Sequence, residues 1–217
     1  MRIGQLILEW LFPTKCAFCH RLTKGREQRV CPICKKNIPY TRGAAAEQKL
    51  SYIEKCLSPL YYEGNVRESL LRYKFGGACG YCDIYADLIV KTIDEHGVSC
   101  DIITWVPLSR KRLRRRGYDQ ARMIAERASE LMGIEAVPLL KKTRNIKAQS
   151  STGDAQARRK NVAGVYAPID AERIKNKRVL IFDDIVTTGA TLSECASVLR
   201  KYGAKSVTAA TVARKRA

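Results

Sequence analysis

The chain has 217 residues, 46% of them hydrophobic, enough for one domain with a real core plus a small appendage and too few for two full domains. Forty Lys and Arg against 21 Asp and Glu leave a formal net charge of +19. That excess predicts attraction to polyanions (nucleic acid, an acidic membrane face or phosphorylated ligands) without choosing among them, and no stretch reaches the ~20 apolar residues of a membrane span.

Residues 1–13, MRIGQLILEWLFP, place Ile3, Leu6, Ile7, Trp10 and Leu11 on one helical face, and Pro13 stops the run. No small-residue cleavage site follows, so the segment does not read as a signal peptide; it reads as a helix docked on its own protein, with membrane contact as the alternative. Without an export signal, nine cysteines suit a metal site plus free thiols in a reducing cytoplasm better than disulfides, and a cytoplasmic location is expected. Cys16, Cys19, Cys31 and Cys34 form two CxxC pairs eleven residues apart. Two such knuckles complete a closed tetrahedral Cys₄ set, the pattern of a structural zinc with no open position for catalysis. Iron, or four reduced thiols packing a hairpin, are the alternatives. The first unit is therefore an N-terminal helix and zinc ribbon over residues 1–45, held by metal in place of a core. A third pair, Cys79 and Cys82, lies in a helical register with Tyr81, Tyr85, Leu88, Ile89 and Thr92 at core-like spacing. It reads as packing or surface thiols, and Cys56, Cys100 and Cys195 as small buried hydrophobes.

From residue 101 strand-like and helical runs alternate. DIITWVP, EAVPLL, GVYAP, RVLIFDD and SVTAATVA read as strands. Residues 118–133 read as a helix with Ala121, Ile124, Ala125, Ala128, Leu131 and Met132 on one stripe, and 192–203 as another with Leu192, Cys195, Ala196 and Leu199. The alternation predicts an α/β fold with an open, mainly parallel sheet, binding ligands beyond the carboxyl ends of its strands. At one such end Asp183 and Asp184 precede Thr187, Thr188, Gly189, Ala190 and Thr191, which run into a helix. Hydroxyls around a glycine at a helix start make a phosphate cup. Carboxylates would repel that phosphate, so the pair must face donors, and the 2′ and 3′ hydroxyls of a ribose supply them. Acidic and threonine helix caps explain one Asp and one Thr of this run but not the rest.

VLIFDDIVTTGAT, residues 179–191, resembles the signature of type I phosphoribosyltransferases. The zinc knuckles after LFP, YKFGG at 73–77, WVPLS at 105–109, RRRGYDQA, Gln149 and ARRKN at 157–161 further resemble the ComF family, the ComFC-type competence proteins of bacteria. The resemblance implies a phosphoribosyltransferase-like domain over residues 46–217. It implies phosphoribosyl pyrophosphate in the cup with Mg²⁺, and a pyrophosphate loop at Ser109, Arg110 and Lys111. It also implies a cytoplasmic factor of natural transformation that binds incoming single-stranded DNA beside a competence helicase or other DNA-processing protein.

RKRLRRR, residues 110–116, carries six basic residues in seven, more than one pyrophosphate needs, so Arg114, Arg115 and Arg116 are candidates for DNA contact; the alternative is a solvated charge run. Residues 141–161 lack apolar periodicity, correspond to the flap that closes over substrate in phosphoribosyltransferases, and add Arg158 and Arg159 to the track. Few aromatics interleave with these charges; Tyr118 is the candidate for base stacking. Three functions stay open: a DNA-handling competence factor, a phosphoribosyltransferase acting on an unidentified acceptor, and a sensor of phosphoribosyl pyrophosphate without turnover.

Overall fold

The computed structural model describes residues 14–23, 28–143 and 164–216. The helix expected over residues 1–13, and Gln149, Arg158 and Arg159, lie outside them. No described helix is long and apolar enough to cross a membrane.

Eight strands follow in chain order: β1 (Glu47–Leu50), β2 (Ile53–Leu57), β3 (Leu60–Tyr61), β4 (Ile102–Trp105), β5 (Leu140–Lys142), β6 (Tyr166–Pro168), β7 (Arg178–Val186) and β8 (Ser206–Arg214). The main sheet has six strands in the order β1-β2-β8-β7-β4, with β3 pairing β8 further along. All its pairings are parallel except the β1–β2 hairpin. The helices are α1 (Pro32–Asn37), α2 (Gly64–Phe75), α3 (Tyr81–Glu95), α4 (Arg110–Arg116), α5 (Gln120–Met132) and α6 (Ala190–Lys201).

The continuous apolar runs of β7 and β8 are explained by burial on both faces. Side chains alternate along β7: Leu180 and Phe182 join the core built with α2, α3 and α5, whereas Val179 and Ile181 join the core built with α6. The helical stripes do the covering. Ala121, Ile124, Ala125 and Ala128 of α5 are buried, as are Leu192, Cys195, Ala196 and Leu199 of α6. Leu131 departs from the expected stripe and is 42% exposed; in the last turn of α5 only Met132 still packs on the core. Cys56, Cys100 and Cys195 are buried as expected.

Two expected strands of the main sheet lie elsewhere. Of EAVPLL, Ala136 makes one bridge to Ile103, and regular pairing starts only at Leu140. Pro138 has no N–H to give a ladder. From there β5 pairs antiparallel with β6, the GVYAP run, in a separate two-stranded ribbon.

The cysteine module packs on the body rather than beside it. Cys16, Ala17, Phe18 and Cys34 share one core cluster with Tyr73, Tyr85 and Phe182. Phe18 meets the Tyr85 ring edge-on at 6.5 Å, and Arg72 Nη2 donates to the Phe18 carbonyl at 2.6 Å and the Ala17 carbonyl at 3.2 Å.

Candidate functional site

β7 does not stop at the acid pair but runs on through Ile185 to Val186. Asp183 and Asp184 therefore sit inside a strand, where successive side chains point to opposite faces. Asp184 turns to the α2 face and its Oδ1 lies 2.8 Å from Lys74 Nζ, both side chains largely buried. Asp183 holds the Asp184 N–H on its Oδ1 at 2.8 Å. Burial, then the neighbouring Asp184 charge, push the Asp183 carboxyl up to about 8, against the pull of Lys74.

Beyond Val186 the chain bends through Thr187 and Thr188 to Gly189, whose φ of 72° is left-handed. Gly189 has no side chain with which to cap α6, so the first-turn N–H groups, at the positive end of the helix, take no side-chain cap from it. Thr187 is exposed, Thr188 and Thr191 half-buried, Ala190 buried. A Cβ at Gly189 would also run into the Leu50 side chain of β1, which would have to move aside.

The basic run expected as a loop is the helix α4. The Ser109 hydroxyl caps it by accepting from the Arg112 N–H at 3.4 Å, and Gly117, φ 81°, ends it in the left-handed region. α4 buries no residue. Arg110, Lys111, Arg114 and Arg115 are exposed. Arg116 is not: its Nη1 donates to Gln120 Oε1 at 2.6 Å and its guanidinium sits 5.0 Å from the centre of the Phe75 ring. An open groove of about 870 Å³ lies between α4, α5 and β5. Leu113, Tyr118 and Met123 line it, with Arg110, Lys141 and Lys142 also on its wall. The Tyr118 hydroxyl donates to the Tyr73 carbonyl, which holds the expected stacking residue in place.

Sequence reasoning missed Lys74. A lysine in the last turn of a helix reads as an ordinary partner for the helix dipole, and only its position inside YKFGG set it apart. It belongs to a turn in which four consecutive residues each hold a different part of the protein. Arg72 grips the cysteine module, Tyr73 donates to the Gln120 carbonyl of α5 at 2.9 Å, Lys74 pairs with Asp184, and Phe75 lies against Arg116 of α4.

The ligand atoms of Cys16, Cys19, Cys31 and Cys34 all lie within 4.8 Å of one another. The Cys19 and Cys31 sulfurs are 3.7 Å apart, close to the ~3.8 Å edge of a tetrahedron with ~2.3 Å Zn–S bonds. Backbone N–H groups of Cys31 and Cys34 point at the Cys16 and Cys31 sulfurs, both at 3.4 Å. Burial raises the Cys16 thiol, but N–H donors from Cys31, Cys19 and Phe18 outweigh it and bring the group to about 7. Four sulfurs in this arrangement fit a metal ion such as zinc.

Residues 118–217 match the phosphoribosyl transferase domain family. Competence protein F of Haemophilus influenzae is 31% identical over 219 aligned positions, covering 90% of this chain and 95% of that protein. The chain belongs to the ComF family of competence proteins. Another relative, competence protein ComFC of Streptococcus pneumoniae, is 28% identical over 67% of this chain and 62% of its own length. Among solved structures, the glutamine phosphoribosylpyrophosphate amidotransferase of B. subtilis superposes with a TM-score of 0.41 at 20% identity, over 65% of this chain and 30% of that one. At that level the superposition bears on neither ligand nor activity.

Proposed function

We propose that the protein is a cytoplasmic factor of natural transformation that binds phosphoribosyl pyrophosphate, or a related ribose phosphate, together with single-stranded DNA, and assists the handling of incoming DNA. One observation carries the ribose phosphate: an acid pair two residues before the carboxyl end of the central strand β7, followed by a glycine-turned, uncapped helix start. On this reading the 5-phosphate sits on the amides from Thr187 to Thr191. Asp183 and Asp184 take the ribose hydroxyls, and Ser109, Arg110 and Lys111 at the start of α4 meet the pyrophosphate. Magnesium would come with the pyrophosphate and neutralise part of its charge.

Support for DNA is electrostatic. A chain of net charge +19 presents Arg114 and Arg115 on a helix that buries nothing, and such a track attracts phosphate chains without regard to sequence. A competence helicase or another DNA-processing protein is the kind of partner that suits this role. Zinc at the four cysteines is structural. The match to the phosphoribosyl transferase domain family favours one alternative, transfer of the phosphoribosyl group to an acceptor with release of pyrophosphate.

The test is calorimetric titration of phosphoribosyl pyrophosphate with Mg²⁺ into wild type and into the Asp183→Ala, Asp184→Ala double variant. Wild type should bind and the variant should lose at least tenfold in affinity while keeping its circular dichroism. Equal affinities would remove the ribose assignment. Pyrophosphate release, measured with and without single-stranded DNA, separates the binding protein from the transferase.

A further inference from the structure

The third CxxC pair has no part in the ribose-phosphate reading and stands independently of it. Cys79 and Cys82 flank the start of α3. The Tyr81 N–H donates to the Ala78 carbonyl at 3.0 Å and the Cys82 N–H to the Cys79 carbonyl at 3.1 Å, while Gly80 between them is right-handed helical at φ −64°, ψ −5°. Residues 79–82 thus form a turn closed between its first and fourth positions. Such a turn brings its end Cα atoms within ~7 Å, and in 3₁₀ geometry the side chains at i and i+3 eclipse one another. Disulfides bridge Cα atoms ~4.4–6.8 Å apart, so a turn of this kind holds the two cysteine backbones at a bridgeable spacing.

Cys82 packs against the core, but three further observations set this pair apart from the fully enclosed thiols. Both residues are only partly buried, whereas Cys56 and Cys195 have no exposure at all. The flanking glycines Gly76, Gly77 and Gly80 are exposed, so a solvent-borne reagent can approach. Among the described residues, the cysteines brought together with other metal-ligating side chains are Cys16, Cys19, Cys31 and Cys34, and this pair is not with them.

We propose that Cys79 and Cys82 form a redox-active dithiol whose substrates are low-molecular-weight disulfides and which closes to an intramolecular disulfide. The Cys79 thiolate attacks one sulfur of the small disulfide, whose S–S bond breaks and releases one small thiolate. The resulting mixed disulfide is attacked by the Cys82 thiolate, forming the Cys79–Cys82 bond and expelling the second small thiolate. Two protein thiols are oxidised, one disulfide is reduced, and the two thiol protons end on the released thiols. Cys82 takes the second, intramolecular step because it packs against the core with its Sγ 3.8 Å from Asp83 Oδ1; burial and then the Asp83 carboxylate also push its thiol up to about 11.

Trypsin after Lys74 and Lys91 yields a peptide, residues 75–91, holding Cys79 and Cys82 and no other cysteine. The zinc-loaded protein is equilibrated with rising ratios of oxidised to reduced glutathione, acid-quenched, alkylated and digested. The peptide should become lighter by two hydrogens and refuse alkylation, reversibly with dithiothreitol, at ratios that leave zinc bound. Cys82→Ser should instead accumulate glutathione on Cys79, with zinc content and phosphoribosyl pyrophosphate affinity unchanged. Should that variant fail to fold, the wild-type peptide mass alone decides. A peptide that takes two alkyl groups at every ratio short of zinc loss would overturn the proposal. So would a second zinc per chain bound at this pair.

Discussion

Asp183 carries the most informative charge in the molecule. Its carboxyl is pushed up to about 8 in the fold, against ~4 in an unfolded chain. The unfolded chain therefore gives up this proton first, and rising pH between those values favours unfolding. In ligand-free protein, Asp183→Asn should accordingly be more stable than wild type by a margin that is small near pH ~5 and grows towards pH ~8. Thermal melts of the two proteins across that range read the difference, and a margin that does not grow with pH would contradict the burial of this charge. Gly189 yields a second residue-scale prediction. Its left-handed φ and the Leu50 side chain that an added methyl would meet should make Gly189→Ala cost roughly 2–4 kcal/mol. Adding Leu50→Ala should relieve the steric part and leave ~1–2 kcal/mol from the backbone, so a double-mutant cycle by urea unfolding should show positive coupling.

At the scale of elements, α4 divides its arginines by environment. Arg114 and Arg115 are exposed, while Arg116 is tied to Gln120 and Phe75. Replacing Arg114 and Arg115 with Ala should flatten the slope of log affinity for single-stranded DNA against log salt by ~0.7 per lost phosphate contact, without moving the melting temperature. Arg116→Ala should do the reverse, losing stability while the salt slope stays, and fluorescence anisotropy with parallel melts tests both. The same contrast shows what could be read in the sequence. The six charges of α4 were plain, but a helix with a single leucine among them has no apolar stripe to announce it. β7 and α6 were legible because each must satisfy a strict burial pattern, a continuous run for one and an i, i+3, i+4 stripe for the other. The β5–β6 ribbon was misplaced because a short apolar run does not say which sheet it joins. α2 went unread because its buried stripe includes Ser69, whose hydroxyl pairs with that of Tyr85 at 2.6 Å, so its face looks half polar. The glycine-turned start of α6 was legible because its signal is local, whereas Lys74 meets Asp184 across more than a hundred residues of chain.

For the molecule as a whole, the cysteine module and the body share one core cluster, with Phe18 against Tyr85 and Arg72 on the knuckle carbonyls. Stripping the metal with a chelator should then lower the melting temperature of the entire protein in one transition rather than release a separate small domain. Two resolved transitions in calorimetry would show the module to be energetically independent. The turn Arg72–Phe75 carries this integration to its limit. Side chains on a helix advance by about 100° per residue, so four neighbours can face four parts of the protein only while none is added between them. One extra residue inserted just after Arg72 would rotate every later side chain of the turn off its partner, cutting α5, the acid pair and α4 loose together while Arg72 kept the knuckle. The same residue inserted between Gly76 and Gly77, both exposed, would leave all four in register. Insertion scanning scored by soluble yield should therefore find a sharp boundary within three positions of chain, intolerant before Phe75 and permissive just after it.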